Sequence, residues 1–331
     1  MQTLFKNQTI LVTGGTGSWG NELVKQLLAK NPKEIRIFSR NEFTQVVMKH
    51  KFDNNKKLSF IIGDIRDKSA LNEACRGVDF LFHLAALKHV PVCEDQPYEG
   101  LKTNVYGTQN VIEASIEQKV KKVIYISTDK AANPTNFYGF TKALGERLII
   151  HANILTKETK FICVRGGNVL GTNGSVIHVF KDQIQNKSKV GITDKRMTRF
   201  FLTLEDAIKL LFKASYESIG GEIFVMKMPT CKIIDLANVL IEDSGKKNVK
   251  IVETGIRPGE KLHEILLTEY ESNNTVIYDK EYYVILPSIK IEGLSEHYAN
   301  YPPIDLDHYH SNHSLMSKEE IKDMLKKGGF I

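Results

Sequence analysis

Between Gln8 and Val164, six short apolar runs alternate with segments of helical period. The runs are Gln8–Val12, Glu34–Phe38, Leu58–Ile62, Val78–His83, Lys122–Ser127 and Lys160–Val164. They are nearly continuous in apolar, often β-branched residues, which predicts strands covered on both faces. Helical patterns such as Asn21–Ala29 and Thr108–Glu117 fall between them, so the covering layers are helices reached by right-handed crossovers. The fold class read from this pattern is α/β, a doubly wound parallel sheet of the Rossmann type. After Arg165 the rhythm breaks: Gly166, Gly167, Gly171 and Gly174 punctuate the chain and no further βα alternation is read. Residues 1–165 are therefore expected to form a dinucleotide-binding domain. Residues 166–331 are expected to form a smaller mixed α/β substrate-binding region, with about 200–225 packing back on the first. The stretch Glu281–Pro303 reads as irregular strand and loop. Ser317–Lys327 opens with a serine cap and Glu320, then continues as an amphipathic helix.

Composition narrows the class of protein. The 331 residues are 42% hydrophobic and 25% charged, which excludes a disordered or fibrous chain. No run approaches the roughly 18–20 apolar residues of a membrane span. The N-terminus enters a strand-and-glycine pattern within ten residues, and no signal peptide is expected. The net charge of +6 comes from lysines scattered over helical faces, without a basic tail or interleaved aromatics. Neither nucleic acid nor a membrane is an expected partner. Cys75, Cys93, Cys163 and Cys231 lie far apart with no CxxC pair, so they read as free thiols in a reducing cytoplasm, and no metal site is expected.

The first strand runs into Thr13-Gly14-Gly15-Thr16-Gly17-Ser18-Trp19-Gly20, and a helix pattern follows. Glycines at 14, 17 and 20 permit a tight turn that brings backbone close to a pyrophosphate, whose charge then meets helix N-terminal amides. Thr16, Ser18 and Trp19 belong to the same cofactor loop. The second strand ends Ser39-Arg40 rather than in a carboxylate. A hydroxyl and a guanidinium suit a ribose 2′-phosphate, and the expected cofactor is NADP. Asp64 and Ile65, after the third strand, are placed beside the adenine. Ala85 and Ala86, after the fourth, are small enough to let backbone pass close to the cofactor.

The fifth strand ends Ser127-Thr128-Asp129-Lys130, and a turn leads to Tyr138 and Lys142, which share one face of a helix. Such a lysine, together with an oxidised nicotinamide, is expected to lower the phenol pKa and make Tyr138 a base. Thr128 is placed to bond the same substrate hydroxyl.

Thr13–Gly20, the Tyr138/Lys142 pair and Asn104 resemble the extended short-chain dehydrogenase/reductases that act on nucleotide sugars. The chain is more closely similar to bacterial UDP-N-acetylglucosamine 4,6-dehydratases of the type that inverts C5 on the way to pseudaminic acid. That resemblance rests on AALKHVP (85–91), STDKAANPTNFYGFTK (127–142), NGSVI (173–177), ITDKRMTRF (192–200), GEIFV (221–225) and GIRPGEKLHE (255–264). The Asp129-Lys130 step is its most specific part, because related epimerases carry small or hydroxyl residues there and C5-retaining dehydratases carry Asp-Glu. The resemblance implies that Tyr138 takes the O4 proton as C4 gives its hydride to NADP+. Lys130, made neutral by burial or a neighbouring cation, then removes the C5 proton, and a protonated Asp129 donates to the departing O6. The implied product is UDP-2-acetamido-2,6-dideoxy-β-L-arabino-hexos-4-ulose.

The resemblance also places Arg199 and Arg257 on the substrate diphosphate and Glu260 on the uridine ribose. Asn168 falls on the sugar-diphosphate or nicotinamide side, Lys88 on both sugar and cofactor, and Asn104 on the cofactor. It further implies a homo-oligomer, with helices around Val111 and Phe140 as the interface. Two positions depart from the family pattern: Gly166, where relatives have tyrosine, and Asn173, where they have arginine. The first implies a wider pocket beside the nicotinamide. Three other readings stand: a UDP-sugar 5,6-dehydratase giving an exo-glycal, a 4-epimerase, and a non-catalytic NADP(H)-sensing regulator, which would not need the Tyr-Lys pair.

Overall fold

The structure, a computed structural model, describes residues 3–172 and 174–331. Six parallel strands, β1 (Thr9–Thr13), β2 (Glu34–Ser39), β3 (Leu58–Ile62), β4 (Phe80–His83), β5 (Lys122–Thr128) and β6 (Lys160–Gly166), lie in the order β6-β5-β4-β1-β2-β3. Every residue of β1 and β4 is buried, as near-continuous apolar runs between two helical layers require. From β3 at one edge the chain crosses to β4, on the far side of β1. That reversal opens a crevice beyond the carboxyl ends of β1 and β4, where a doubly wound sheet binds its ligand.

The sheet does not stop at β6. Ile223–Met226 pairs parallel with β6, Tyr282–Ile285 pairs antiparallel with that strand, and Thr275–Ile277 forms the far edge of nine. The βα rhythm thus resumes once, through the helix Leu204–Glu217. A four-residue strand is too short to show a period of its own, and the Gly220-Gly221 pair before it reads as loop. The stretch taken as irregular contains both Tyr282–Ile285 and the short helix Leu294–Tyr298.

A second core gathers Ile177, Phe180, Leu236 and Leu240 from the helices Val176–Lys187 and Ile233–Asp243. The helix Lys318–Lys327 closes it with Ile321 and Leu325. Ser317 caps that helix and Glu320 returns the bond, which is the reciprocal box its sequence predicts. All four cysteines are free and buried. Val111, around which an interface is expected, is fully buried, whereas Phe140 is 51% exposed with Leu144 one turn further along the same helix. No helix among the described residues is long and apolar enough to cross a membrane.

One buried ion cluster fastens the helix Phe137–Leu155, which carries Tyr138 and Lys142, to the sheet. Arg165, on β6 and 1% exposed, grips Glu146 of that helix at 2.6 and 3.0 Å. The same guanidinium holds Glu271 at 2.9 and 3.0 Å and donates to the Leu266 carbonyl at 2.9 Å. Removing one member of such a cluster leaves buried charge uncompensated. Arg165→Met is therefore expected to cost about 3–5 kcal/mol at neutral pH, read from the urea midpoint.

The pH dependence identifies the cause. Burial pushes the Glu271 pKa up, but Arg165 and Thr268 hold it below the usual carboxylate value. In the wild type its stabilisation is therefore present above that usual value and is lost only as pH falls through the depressed one. Without the guanidinium, only the Thr268 hydrogen bonds oppose burial, and the carboxyl favours its proton more than in the wild type. The stability gap between variant and wild type should then narrow as pH falls from about 7 to about 5. A constant gap would assign the loss to packing instead.

Candidate active site

The turn after β1 touches the segment after β4 backbone to backbone. Gly14 has φ +68°, and a Cβ there would lie 2.8 Å from the Ala85 amide nitrogen and Cα, so only glycine fits. Gly17 caps the helix Ser18–Leu28 without a side-chain hydrogen bond, so no cap side chain covers the helix N-terminus, the end that attracts an anion. Above this turn lies a cavity of about 200 Å³. Of the residues expected on a cofactor, Gly14, Thr16, Ser39, Arg40, Asp64, Ile65, Ala85 and Ala86 line it, joined by Phe38, Asn41, Gly63 and Thr103. Gly17, Ser18, Trp19 and Gly20 belong to the supporting turn and helix: Trp19 packs on the core and Gly20 is buried.

At the rim, Ser39 Oγ accepts from Gln45 Nε2 at 3.0 Å, so its own proton is left to donate. Arg40 is 54% exposed on its side chain and meets Asp64 only at 3.9 Å. Asp64 is gripped instead by Arg66 at 2.6 Å. Partial burial pushes its pKa up, but the Arg66 hydrogen bonds and the charges of Arg66 and Arg40 hold it below the usual value. A polar cavity of this kind, with a helix N-terminus at one end and Ser39/Arg40 at the other, fits a dinucleotide.

Asn104 corrects an expectation. Its Oδ1 accepts from Leu87 N at 2.8 Å, and its Nδ2 donates to Leu87 O at 2.8 Å and Thr141 Oγ1 at 2.9 Å. With both ends of the amide engaged, it pins the segment after β4 to the helix of Tyr138. Lys88 lies beyond in the same segment, where desolvation lowers its pKa.

The chemistry-bearing residues sit on a 3₁₀ turn, Asp129–Ala131, and the first turns of the helix Phe137–Leu155. Asn136 caps that helix by accepting from Gly139 N at 2.9 Å. A Cβ on Gly139 would stand 2.4 Å from the Lys130 carbonyl oxygen, so the glycine after Tyr138 is what lets the two segments meet. Thr128 Oγ1 and Lys130 Nζ both donate to Asp129 Oδ1, each at 2.9 Å. Asp129 is fully buried, and its Oδ2 has no partner. Burial raises its pKa, against the pull of Lys130.

Two protonation states differ from expectation. Lys142 Nζ donates to the Ile126 carbonyl at 2.6 Å and lies 3.8 Å from the centre of the Tyr125 ring, and burial brings its pKa down to about 7. Tyr138, 9% exposed, is pushed up to about 12 by burial, with Lys130 and Thr128 pulling it down. In the ligand-free protein, desolvation thus outweighs nearby positive charge at the phenol. Lys130, which has to be neutral when it acts, is the reverse case in the ligand-free protein. Burial favours the amine, but the charges of Asp129 and Glu264 overcome it and raise the pKa.

Glu264 is the residue that sequence reasoning missed. It closes the segment GIRPGEKLHE, 3% exposed, with Oε1 3.4 Å from Lys130 Nζ and 3.6 Å from Arg199 Nε. Polar residues crowd this segment, so nothing in the local pattern marks one carboxylate as buried.

Arg199 corrects another expectation. It is buried, and its remaining N–H groups face Thr198 O, Leu262 O, Met197 Sδ and Glu260 Oε1. With protein acceptors on both terminal nitrogens and Glu264 3.6 Å from Nε, it braces the wall of the site in the ligand-free protein. Glu260, bridged to Arg199 at 3.4 Å, belongs to the same wall. Arg257, by contrast, is exposed. Its loop is tied to the catalytic helix where Thr135 Oγ1 and Asn136 Nδ2 donate to Gly259 O at 2.9 and 3.1 Å. Asn168 is half-buried in a two-residue strand that pairs with Thr198–Leu202.

At Gly166 a Cβ would lie 3.2 Å from Met226 Sδ and 3.9 Å from Met228 Sδ, and Met228 Sδ also accepts from Gly167 N at 3.0 Å. Methionine sulfurs therefore crowd the position from which a tyrosine side chain would start, and no simple widening follows there. Asn173 lies outside the described residues.

Comparison with known proteins agrees with this arrangement. The family model described as polysaccharide biosynthesis protein matches residues 10–286. The inverting UDP-N-acetylglucosamine 4,6-dehydratase of Campylobacter jejuni is 46% identical over 292 residues, covering 87% of this chain and 85% of that protein. A UDP-glucose 4-epimerase of Rickettsia canadensis is 40% identical, covering 97% of this chain and 96% of its own. Among solved structures, Pen from Bacillus thuringiensis matches with a TM-score of 0.91 at 39% identity, over 98% of this chain and 100% of that one. The chain belongs to the polysaccharide biosynthesis protein family and is a relative of the inverting UDP-N-acetylglucosamine 4,6-dehydratases.

Proposed function

We propose that the protein dehydrates UDP-N-acetylglucosamine across C4 and C6 with NADP, inverting C5. The observation that carries the reading is the Asp129–Lys130 pair, joined at 2.9 Å beside Tyr138, with Asp129 fully buried and Lys130 mostly so. An epimerase returns hydride to C4 and has no use for a second acid and base. Ser39 and Arg40 at the cavity rim support NADP over NAD. Bound there, the nicotinamide supplies the oxidant that takes the C4 hydride and later returns it at C6.

The protein's own groups move the protons. Tyr138 removes the O4 proton. The C4 ketone makes the C5 proton acidic, and a base is then needed next to an acid. The resting pair contains both in latent form: passing one proton from Lys130 Nζ to Asp129 Oδ1 yields an amine and a carboxylic acid in a single step. The amine takes the C5 proton, the electron pair forms an enolate, and the acid proton leaves with O6 as water. Loss of O6 leaves a C5–C6 double bond, and once C6 has received the hydride, protonation of C5 from the opposite face completes the inversion. Arg257, exposed on its loop, supports a diphosphate contact. The exposed Phe140 and Leu144 face supports a homo-oligomer, and the reading places the enzyme in the cytoplasm.

The test uses UDP-N-acetylglucosamine deuterated at C4, with the product followed by NMR and the bound nucleotide identified after denaturation. The label is expected at C6, on a 4-keto-6-deoxy sugar of inverted C5, and the nucleotide is expected to be NADP. Label retained at C4 would favour the epimerase reading that the Rickettsia relative raises. A vinylic C6 would favour exo-glycal formation. Untouched substrate with nucleotide bound would favour a regulator.

A further inference from the structure

We propose that Glu264 is a positioning residue that keeps the shared proton of the Asp129–Lys130 pair on the lysine, and so sets the pH range in which that pair can act. Its consequence for turnover rests on the dehydratase reading; its effect on Lys130 in the resting protein does not.

The geometry is that of a gate. Ser311 holds the Glu264 backbone from both sides: Glu264 N donates to Ser311 Oγ at 3.0 Å, and Ser311 N donates to Glu264 O at 2.9 Å. The side chain is thereby directed at Lys130, across the site from the turn that carries Asp129. Charged and titratable groups reach Lys130 from every neighbouring element: Asp129 from its own turn, Tyr138 from the catalytic helix, Arg199 from the strand Thr198–Leu202, and Lys261 and Glu264 from the facing segment. Lys261 is anchored away, donating to Ala132 O at 2.8 Å. Arg199, its terminal nitrogens on fixed protein acceptors, already stands 3.6 Å from Glu264, so Glu264 is shared between Lys130 and Arg199 and keeps its negative charge.

Asp129 is the strongest charge holding the proton on the lysine, but it is also the group that can accept that proton. Transferring it neutralises both partners together, which a low-dielectric site favours. Glu264 changes that balance, because its charge remains whichever way the proton lies and an ammonium beside it is favoured. Its Oε2, like Asp129 Oδ2, is buried with no hydrogen-bond partner. Two carboxylate oxygens of the cluster thus lack donors. A hydroxyl donating to Glu264 Oε2 draws charge away from Lys130 and eases the proton transfer, which links base formation to substrate binding.

The experiment is a titration of lysine Nζ by 15N NMR in the full-length, ligand-free protein, with Lys130 assigned by its loss in Lys130→Arg. The wild-type signal should remain ammonium to the highest pH at which the protein stays folded. In Glu264→Gln, which keeps shape and removes charge, the midpoint should fall by about one pH unit or more. An unchanged titration overturns the proposal. Should Glu264→Gln fail to fold, Glu264→Asp retracts the charge from Lys130 and should move the midpoint the same way by less; no movement there overturns it equally. In turnover, the pH at which solvent deuterium begins to enter C5 should shift downward in Glu264→Gln. A uniform loss at every pH, with no shift, would assign Glu264 a structural role only and overturn the proposal. If no UDP-sugar reacts, the dehydratase reading fails while the NMR result still decides the role of Glu264.

Discussion

Tyr138→Phe is expected to lower turnover of UDP-N-acetylglucosamine by about 10²–10⁴-fold, the usual contribution of a positioned acid–base group, while nucleotide binding persists. The substitution removes one hydroxyl from a nearly buried ring and leaves its packing intact, so unfolding is not the expected cause of loss. The affected step is the first: without a phenolate, the O4 proton has no acceptor as C4 is oxidised. A single-turnover measurement of nicotinamide absorbance should therefore show no reduced cofactor in the variant. The pH profile carries further information. The phenol pKa in the ligand-free protein is pushed up to about 12 by burial, so very little phenolate exists near neutrality. A cation bound beside the ring favours the ionised form. The alkaline limb of the first step in the complex should therefore lie below the pH at which the ligand-free phenol titrates by ultraviolet absorbance. Equal values would mean that no charge from the complex reaches Tyr138.

The parts of this site that could be read from sequence are those in which neighbours along the chain are neighbours in space. Gly14 and Gly17 follow directly on β1, and Thr128, Asp129 and Lys130 end β5. Tyr138 and Lys142 are one helical turn apart, so strand and helix periods alone set them side by side. The β3 strand, Leu58–Ile62, is found with the bounds its apolar run suggests, although it is the half-buried edge of the sheet with Ile62 exposed. Protonation could not be read in the same way. The state of Lys130 depends on Glu264, which arrives from a segment far along the chain, and that of Tyr138 depends on how completely the ring is enclosed. Arg199 shows the same limit. A cation in a polar segment suggests an exposed anion ligand until Leu262 O, Glu260 and Glu264 are seen to surround it. Ile223–Met226 was hidden for a different reason: its parallel partner, β6, is distant, and four residues carry no period of their own.

Lys130→Met separates the second step from the first. The methionine retains most of the stem volume but has no amine, so C5 loses its base while Tyr138 and its helix remain in place. Oxidation at C4 should continue, within about tenfold of wild type, and appear as reduced nicotinamide that accumulates instead of cycling. Exchange of the C5 proton with solvent deuterium, and release of the 6-deoxy product, should fall by about 10²–10⁴-fold. The charge balance makes the variant informative at low pH as well. Burial already raises the Asp129 pKa, and Lys130 is the main opposing charge. Its removal should leave Asp129 protonated, hence still able to serve as an acid but with no enolate to act on. Asp129→Asn should give the complementary pattern, retaining C5 exchange more fully than elimination of O6. If Lys130→Met and Tyr138→Phe instead lose both C4 oxidation and C5 exchange to the same extent, the two residues act as one unit. The division of labour between phenol and amine would then have to be abandoned.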